Sequence, residues 1–247
     1  MSKINMGNFF EDFSIGQKIV HPLPRTISDG DVSLYIAFTG SRFALHSSDT
    51  VAKQMGYDKK PIDDMLMFHL TFGKSVQDVS LNAIANLGYA EMSFPNSVFV
   101  GDTVSMTSTV IGLKENSNGK SGVVYVHSIG VNQDGAEVLN FKRWVMVHKK
   151  DKETLSNINE VPTFAKTTPI ADVINIPTIK TVDTDSTGGK YFFEDYVAGE
   201  RLNHPEGITI DNSDHTLATK LYQNNAKVHF NDHMMKSTPM GQRLMYG

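Results

Sequence analysis

The chain of 247 residues holds 23 basic and 27 acidic side chains, a net charge of −4, and 40% apolar residues. This suits one large or two small globular domains, and it gives no electrostatic footprint for nucleic acid or an anionic membrane. With no cysteine, disulfides and thiolate chemistry are excluded, and no apolar run reaches the roughly 18 residues that span a bilayer, so a cytoplasmic protein is expected.

In chain order, "DGDVSLYIAFTG" places Val32, Tyr35, Ile36 and Phe38 at near-helical spacing behind Ser28 or Asp29 as N-cap. "SDTVAKQMGY" predicts a second helical segment that ends at a glycine. After Pro61, "DDMLMFHLTFGKSV" predicts a longer helix with acidic residues at its N-terminus. Met65, Leu66, Met67, Phe68, Leu70 and Phe72 make it apolar nearly all round, so a sheet should wrap it.

The period then changes. Residues 89–98, 102–115, 121–133 and 137–150 alternate apolar and polar side chains between turn signals at "VGD", "NSNGK" and "NQDG". One buried helix followed by long antiparallel strands predicts an α+β layer. Trp144 alternates as a strand residue and belongs to the core or an interface. "GLKENSNGKSG" lacks P-loop spacing and reads as a hairpin turn.

Residues 9–49 also lie without a gap over residues 192–232, at a constant offset of 183. Identities occur at 13 of the 41 positions: Phe9, Phe10, Glu11, Asp12, Gly16, His21, Pro22, Thr26, Ile27, Asp31, Leu34, His46 and Asp49. Ordinary composition gives roughly two or three by chance, so the chain contains a duplication. The expected organisation is a first domain at 1–150, a linker at 151–189 and the start of a second domain at 190–247. The linker is rich in Thr, Pro, Asp and Lys, and its "ADVINIPTIK" is expected to lie extended along a neighbouring surface. The second copy is expected to be cut short at the C-terminus.

A duplicated unit of a helix wrapped by a bent antiparallel sheet resembles the double hot-dog fold of the MaoC-like acyl-CoA hydratases, with the second hot-dog incomplete. The family's loop, roughly D-x-N-P-x-H, matches Asn224 to His229 in the second copy and Ser41 to His46 in the first. "PIDDMLMFHLTFGKSVQDVSLNAIANLGYAE", "VIGLKENSNGKSGVVYV", "RWVMVHK" and "ATKLYQNNAKVHFN" narrow the resemblance to the mesaconyl-CoA hydratase (β-methylmalyl-CoA dehydratase) family. That resemblance implies reversible hydration of a branched enoyl-CoA in the ethylmalonyl-CoA route. It implies no metal and no cofactor, CoA being part of the substrate, and a homo-oligomer at full length.

Hydrating an enoyl thioester needs a base for water, an acid for the α-carbon and donors for the thioester oxygen. The family's Asp is Asn224 in one copy and Ser41 in the other, and neither takes a proton at neutral pH. His229 is therefore the expected catalytic base, with Asn224 orienting water. His46 and Ser41 form the equivalent loop of the first copy. Asp63 and Asp64 replace the family's His-Gly turn; they act as helix caps or face the substrate, and Arg42 is the nearest cation in sequence. Oxyanion donors are expected at Tyr246 and Gly247. Because the helix that would follow them is absent, residues 1–247 alone are expected to be inactive. His21 and His204, each before a proline, read as strand ends. Other readings are a straight-chain (R)-specific enoyl-CoA hydratase, a hot-dog acyl-CoA thioesterase, or a non-catalytic acyl-binding or assembly module.

Overall fold

The computed structural model describes residues 4–153, 155–179 and 183–246. The first copy contains β1 (Lys18–Thr26), α1 (Asp29–Thr39), α2 (Ala44–Ser47), α3 (Asp49–Gln54), α4 (Asp64–Ser75), β2 (Ala83–Ser93), β3 (Thr103–Glu115), β4 (Ser121–Val131) and β5 (Glu137–His148). The strands form an antiparallel sheet in the order β1-β3-β4-β5-β2. Next come β6 (Asn159–Glu160), α5 (Ile170–Val173), α6 (Thr184–Thr187), α7 (Asn212–Leu221) and α8 (Asp232–Met235).

The central helix α4 is buried nearly all round. Leu66, Met67 and Leu70 pack with Val104, Met106, Leu139 and Phe141 of the sheet, and Leu221 and Tyr222 at the end of α7 join the same core. Such burial removes apolar surface from water on every side of the helix, which is why its sequence carries no polar stripe. Asp63 caps it, accepting from the Met65 amide at 2.8 Å.

Two strands differ from the sequence reading. Lys18–Thr26, where the sequence predicts no more than a strand end at His21, is an edge strand of the sheet. Pro22 and Pro24 obscure its pattern, and they are tolerated because the register shifts between His21 and Arg25, with Leu23 in the left-handed region at φ 69°. The strand expected at 89–98 instead covers Ala83–Ser93. Pro95 can donate nothing to the ladder, and Phe94 makes only an isolated bridge, to Ile174. Far from marking a strand end, His21 is buried mid-strand, bonding Asp78 Oδ2 and Ser108 Oγ at 2.8 Å each and so tying β1 to the turn after α4 and to β3.

The linker wraps the outer face of the sheet. β6 pairs with Leu113 and Lys114, and Phe164 stacks on Trp144 with ring centres 5.0 Å apart. The Ala165 amide donates to Glu91 at 2.8 Å. "ADVINIPTIK" starts as the single turn α5, not extended as expected; from Ile174 it runs past α3, and its last residue lies outside the described ones.

The offset of 183 repeats in three dimensions. A 3-10 turn at Phe10–Asp12 recurs at Phe193–Asp195, closed each time by an Asp carboxylate on the Phe9 or Phe192 amide. α1 recurs as α7, and the starts of α3 and α8 correspond. The counterpart of β1, residues 201–209, has no strand partner among the described residues. Accordingly Phe10, buried against Gly122 of β4, has an exposed equivalent in Phe193, at 90%.

Copy two docks on α4 at Gly73, where an added Cβ would overlap the Tyr222 carbonyl oxygen. Arg25, ion-paired with Asp31, donates to the Leu221 carbonyl beside it. Gly73→Ala is therefore expected to lower unfolding free energy by about 1–3 kcal/mol through overpacking. Gly30→Ala, in the first turn of α1 with ordinary space around it, should be neutral or stabilising by up to about 1 kcal/mol. Urea denaturation of the two variants measures the contrast.

Candidate active site

After α7 the chain turns through Gln223 in the left-handed region, at φ 54°, and buries Asn224. Asn224 Oδ1 accepts from the Ala226 amide at 2.9 Å, a local turn that short polar side chains favour. The loop then makes a 3-10 turn at Lys227–His229. Residues 244–246 return beside it, with the Leu244 amide donating to the Val228 carbonyl at 2.9 Å.

This return fixes His229. Its Nδ1 lies 3.1 Å from the Leu244 carbonyl oxygen, which can only accept, so Nδ1 carries the proton and Nε2 keeps a free lone pair. Burial pulls the His229 pKa below its ordinary value; the Leu244 carbonyl opposes that shift and nearby His215 adds to it.

Tyr246 is the hub of the cluster. Its ring lies 5.3 Å from that of His229 and 5.2 Å from those of His69 and Tyr222. Its hydroxyl is 2.9 Å from His69 Nδ1, and the Asn224 side chain beside it opposes the effect of burial on its pKa. Burial raises the pKa of the Tyr246 hydroxyl and that of Tyr222, the latter to about 12, so both remain donors at neutral pH.

His69 projects from α4 and stacks on Tyr222 with ring centres 4.6 Å apart. Burial pushes its pKa down to about 4. Between α1, α4 and α7 lies a cavity of about 210 Å³, bordered by Tyr35, Phe38, His69, His215, Tyr222 and Tyr246. His215 is buried there, with Nε2 3.3 Å from Asn212 Oδ1 and no partner for Nδ1 among the described residues.

In copy one the matching loop meets the start of α4. His46 Nδ1 sits 3.3 Å from Asp63 Oδ2, outside good hydrogen-bond geometry, and the Tyr35 hydroxyl is 3.3 Å from Asp63 Oδ1. Burial pushes the Asp63 carboxyl up, but His46, the Met65 amide and Tyr35 together hold it below the ordinary value. Asp64, buried beside Asp63, is raised by burial despite His46. Under the offset Asp63 corresponds to Tyr246, so the His46–Asp63 contact is the counterpart of His229–Tyr246. Ser41 Oγ accepts only a long contact from the Phe43 amide, at 3.5 Å. Arg42 is exposed and forms no ion pair with Asp63 or Asp64 among the described residues. Gly247 lies outside the described residues.

Sequence reasoning missed His69 and Tyr222. The available signal was one titratable side chain, His69, on an otherwise apolar helix. Its lowered pKa has a measurable consequence. Between pH 6.5 and about 4 the unfolded chain binds a proton at His69 that the folded chain does not. This contribution to stability is complete above pH 6.5 and is lost as pH falls to about 4, on the order of 3 kcal/mol. Urea melts at pH 7.5 and 4.5 should show the loss, and His69→Gln should flatten it.

A family model described as mesaconyl-CoA hydratase matches residues 2–247. The β-methylmalyl-CoA dehydratase of Chloroflexus aurantiacus is 49% identical over 248 residues, covering 100% of this chain and 70% of that protein. The mesaconyl-CoA hydratase of Cereibacter sphaeroides is 47% identical, covering 99% of this chain and 71% of its own length. The crystal structure of a MaoC domain protein dehydratase from C. aurantiacus superposes with a TM-score of 0.96 at 48% identity, over 100% of this chain and 71% of that one. A double-hotdog protein of Mycobacterium tuberculosis, 20% identical, shares the fold with a TM-score of 0.66 over 98% of this chain and 72% of its own. The fold is that of the MaoC-like hot-dog proteins, and the chain belongs to the mesaconyl-CoA hydratase family.

Proposed function

We propose that the protein hydrates mesaconyl-CoA reversibly to β-methylmalyl-CoA, with His229 as the base that activates water. The observation that carries this role is the Leu244 carbonyl on His229 Nδ1, which leaves Nε2 unprotonated beside Tyr246. In the forward direction Nε2 takes a proton from water as oxygen bonds the β-carbon. The double-bond electron pair moves toward the thioester, and the resulting enolate takes a proton at the α-carbon from the histidinium. Half-buried Tyr246 and His69 supply neutral hydrogen-bonding groups at the site, where lowered polarity strengthens each hydrogen bond to developing charge. Asn224 lies beside Tyr246, and His46 and Asp63, 3.3 Å apart in copy one, are assigned a structural role.

Loss of enoyl absorbance from mesaconyl-CoA without release of free thiol is the expected result. Faster loss with crotonyl-CoA would favour a straight-chain hydratase, and thiol release a thioesterase.

The pH profile follows from His229. Its neutral form is the active base and its pKa is lowered, so kcat/KM should hold as pH drops through 6.5 and fall only below that lowered value. His229→Gln should reduce kcat by about 10²–10⁴-fold, the range for a missing general base. An acid limb at or above pH 6.5 in the pH–rate profile would contradict the assignment.

A further inference from the structure

Arg143 lies on the inner face of β5, in line with Phe141 and Val145, and is 0% exposed. Its Nη2 donates to Ser75 Oγ at 3.0 Å, and its guanidinium carbon stands 4.6 Å from the centre of the Phe72 ring. Nε and Nη1 are buried and have no hydrogen-bond partner among the described residues. Burial draws the Arg143 pKa down to about 10, which still leaves it charged at neutral pH. A buried cation with unsatisfied donors is costly unless something anionic comes to it.

Its surroundings connect it to the candidate active site. The Phe72 ring it packs against stacks on Phe68 with centres 5.3 Å apart, Phe68 lies 5.3 Å from the His69 ring, and the residue after Phe72 is Gly73, where the Tyr222 backbone docks. The histidines of that site, His69 and His229, both have lowered pKa values and stay neutral at pH 7. They therefore offer no positive charge to an anionic substrate.

The acyl group of mesaconyl-CoA carries a free carboxylate on the carbon that water attacks. Unneutralised, that charge repels both an incoming hydroxide-like oxygen and the enolate forming next to it. We propose that Arg143 is the specificity residue of this site, its unsatisfied guanidinium donors receiving the free carboxylate of the acyl group. The assignment rests on the hydration reading and narrows its substrate class to enoyl thioesters with a β-carboxylate. Exposed Arg42, the cation nearest the loop in sequence, does not have this environment.

Isothermal titration of the chain with mesaconyl-CoA and with crotonyl-CoA, which lacks the carboxylate, tests it. Wild-type protein should prefer mesaconyl-CoA by about tenfold or more, the worth of one charge-assisted pair. In Arg143→Met, an apolar side chain of similar length that keeps the core filled, the preference should disappear. Arg143→Lys, which keeps the charge without the planar fork, should retain part of it. A preference that persists in Arg143→Met, or a wild-type protein that binds both thioesters equally or neither, overturns the assignment. If Arg143→Met does not fold, the wild-type comparison and Arg143→Lys decide: full retention by the lysine variant also counts against the guanidinium. Hydration is read separately by enoyl absorbance, so a mesaconyl-CoA preference without turnover would count against the hydratase reading and leave the role of Arg143 standing.

Discussion

The backbone of Tyr222 rests against Gly73 of the central helix with no room for even a methyl group between them. That approach puts the end of α7 on the same helix that fills the sheet of copy one, so the second repeat shares a core with the first. His69, one turn before Gly73, then stacks on Tyr222, and Tyr246 closes over both. The Asn224 loop and the return of residues 244–246 are held against a rigid, buried helix. A base that must meet water at a defined angle requires such support.

The two repeats use the same local geometry for different electrostatics. At one loop a histidine faces a carboxylate, Asp63; at the other it faces a phenol, Tyr246. The Asp63 carboxylate stands beside His46, whereas the Tyr246 phenol stands beside His229, whose pKa is lowered by burial. Likewise Val32, a plain core residue in α1, corresponds to His215 in α7, which borders the cavity. Duplication supplied two equivalent positions, and a few substitutions set a carboxylate beside one histidine and a phenol beside the other.

Much of this fold was legible in the sequence. The helix–strand order, the wrapped character of α4 and the repeat all follow from period and identity, because burial imposes those patterns on side chains. β1 was not legible: Pro22 and Pro24 are breakers in a local reading, and only an edge position with a shifted register accommodates them. Of the candidate site residues, His229 and Asn224 were indicated by the repeat and the family loop. His69, Tyr222 and Arg143 were not, since their significance comes from contacts across about 70 to 180 positions of chain. Arg143 in particular alternates as any strand residue does, and only its missing partners set it apart.

The account depends on copy two being joined to α4 through the hydrogen bond between His69 and Tyr246. A double-mutant cycle of His69→Phe and Tyr246→Phe on unfolding free energy tests this most directly. A half-buried bond of this kind predicts a coupling of about 1 kcal/mol between the two changes. Additivity of the two variants, to within about 0.3 kcal/mol, would mean that the side chains do not meet and would contradict the assembled site.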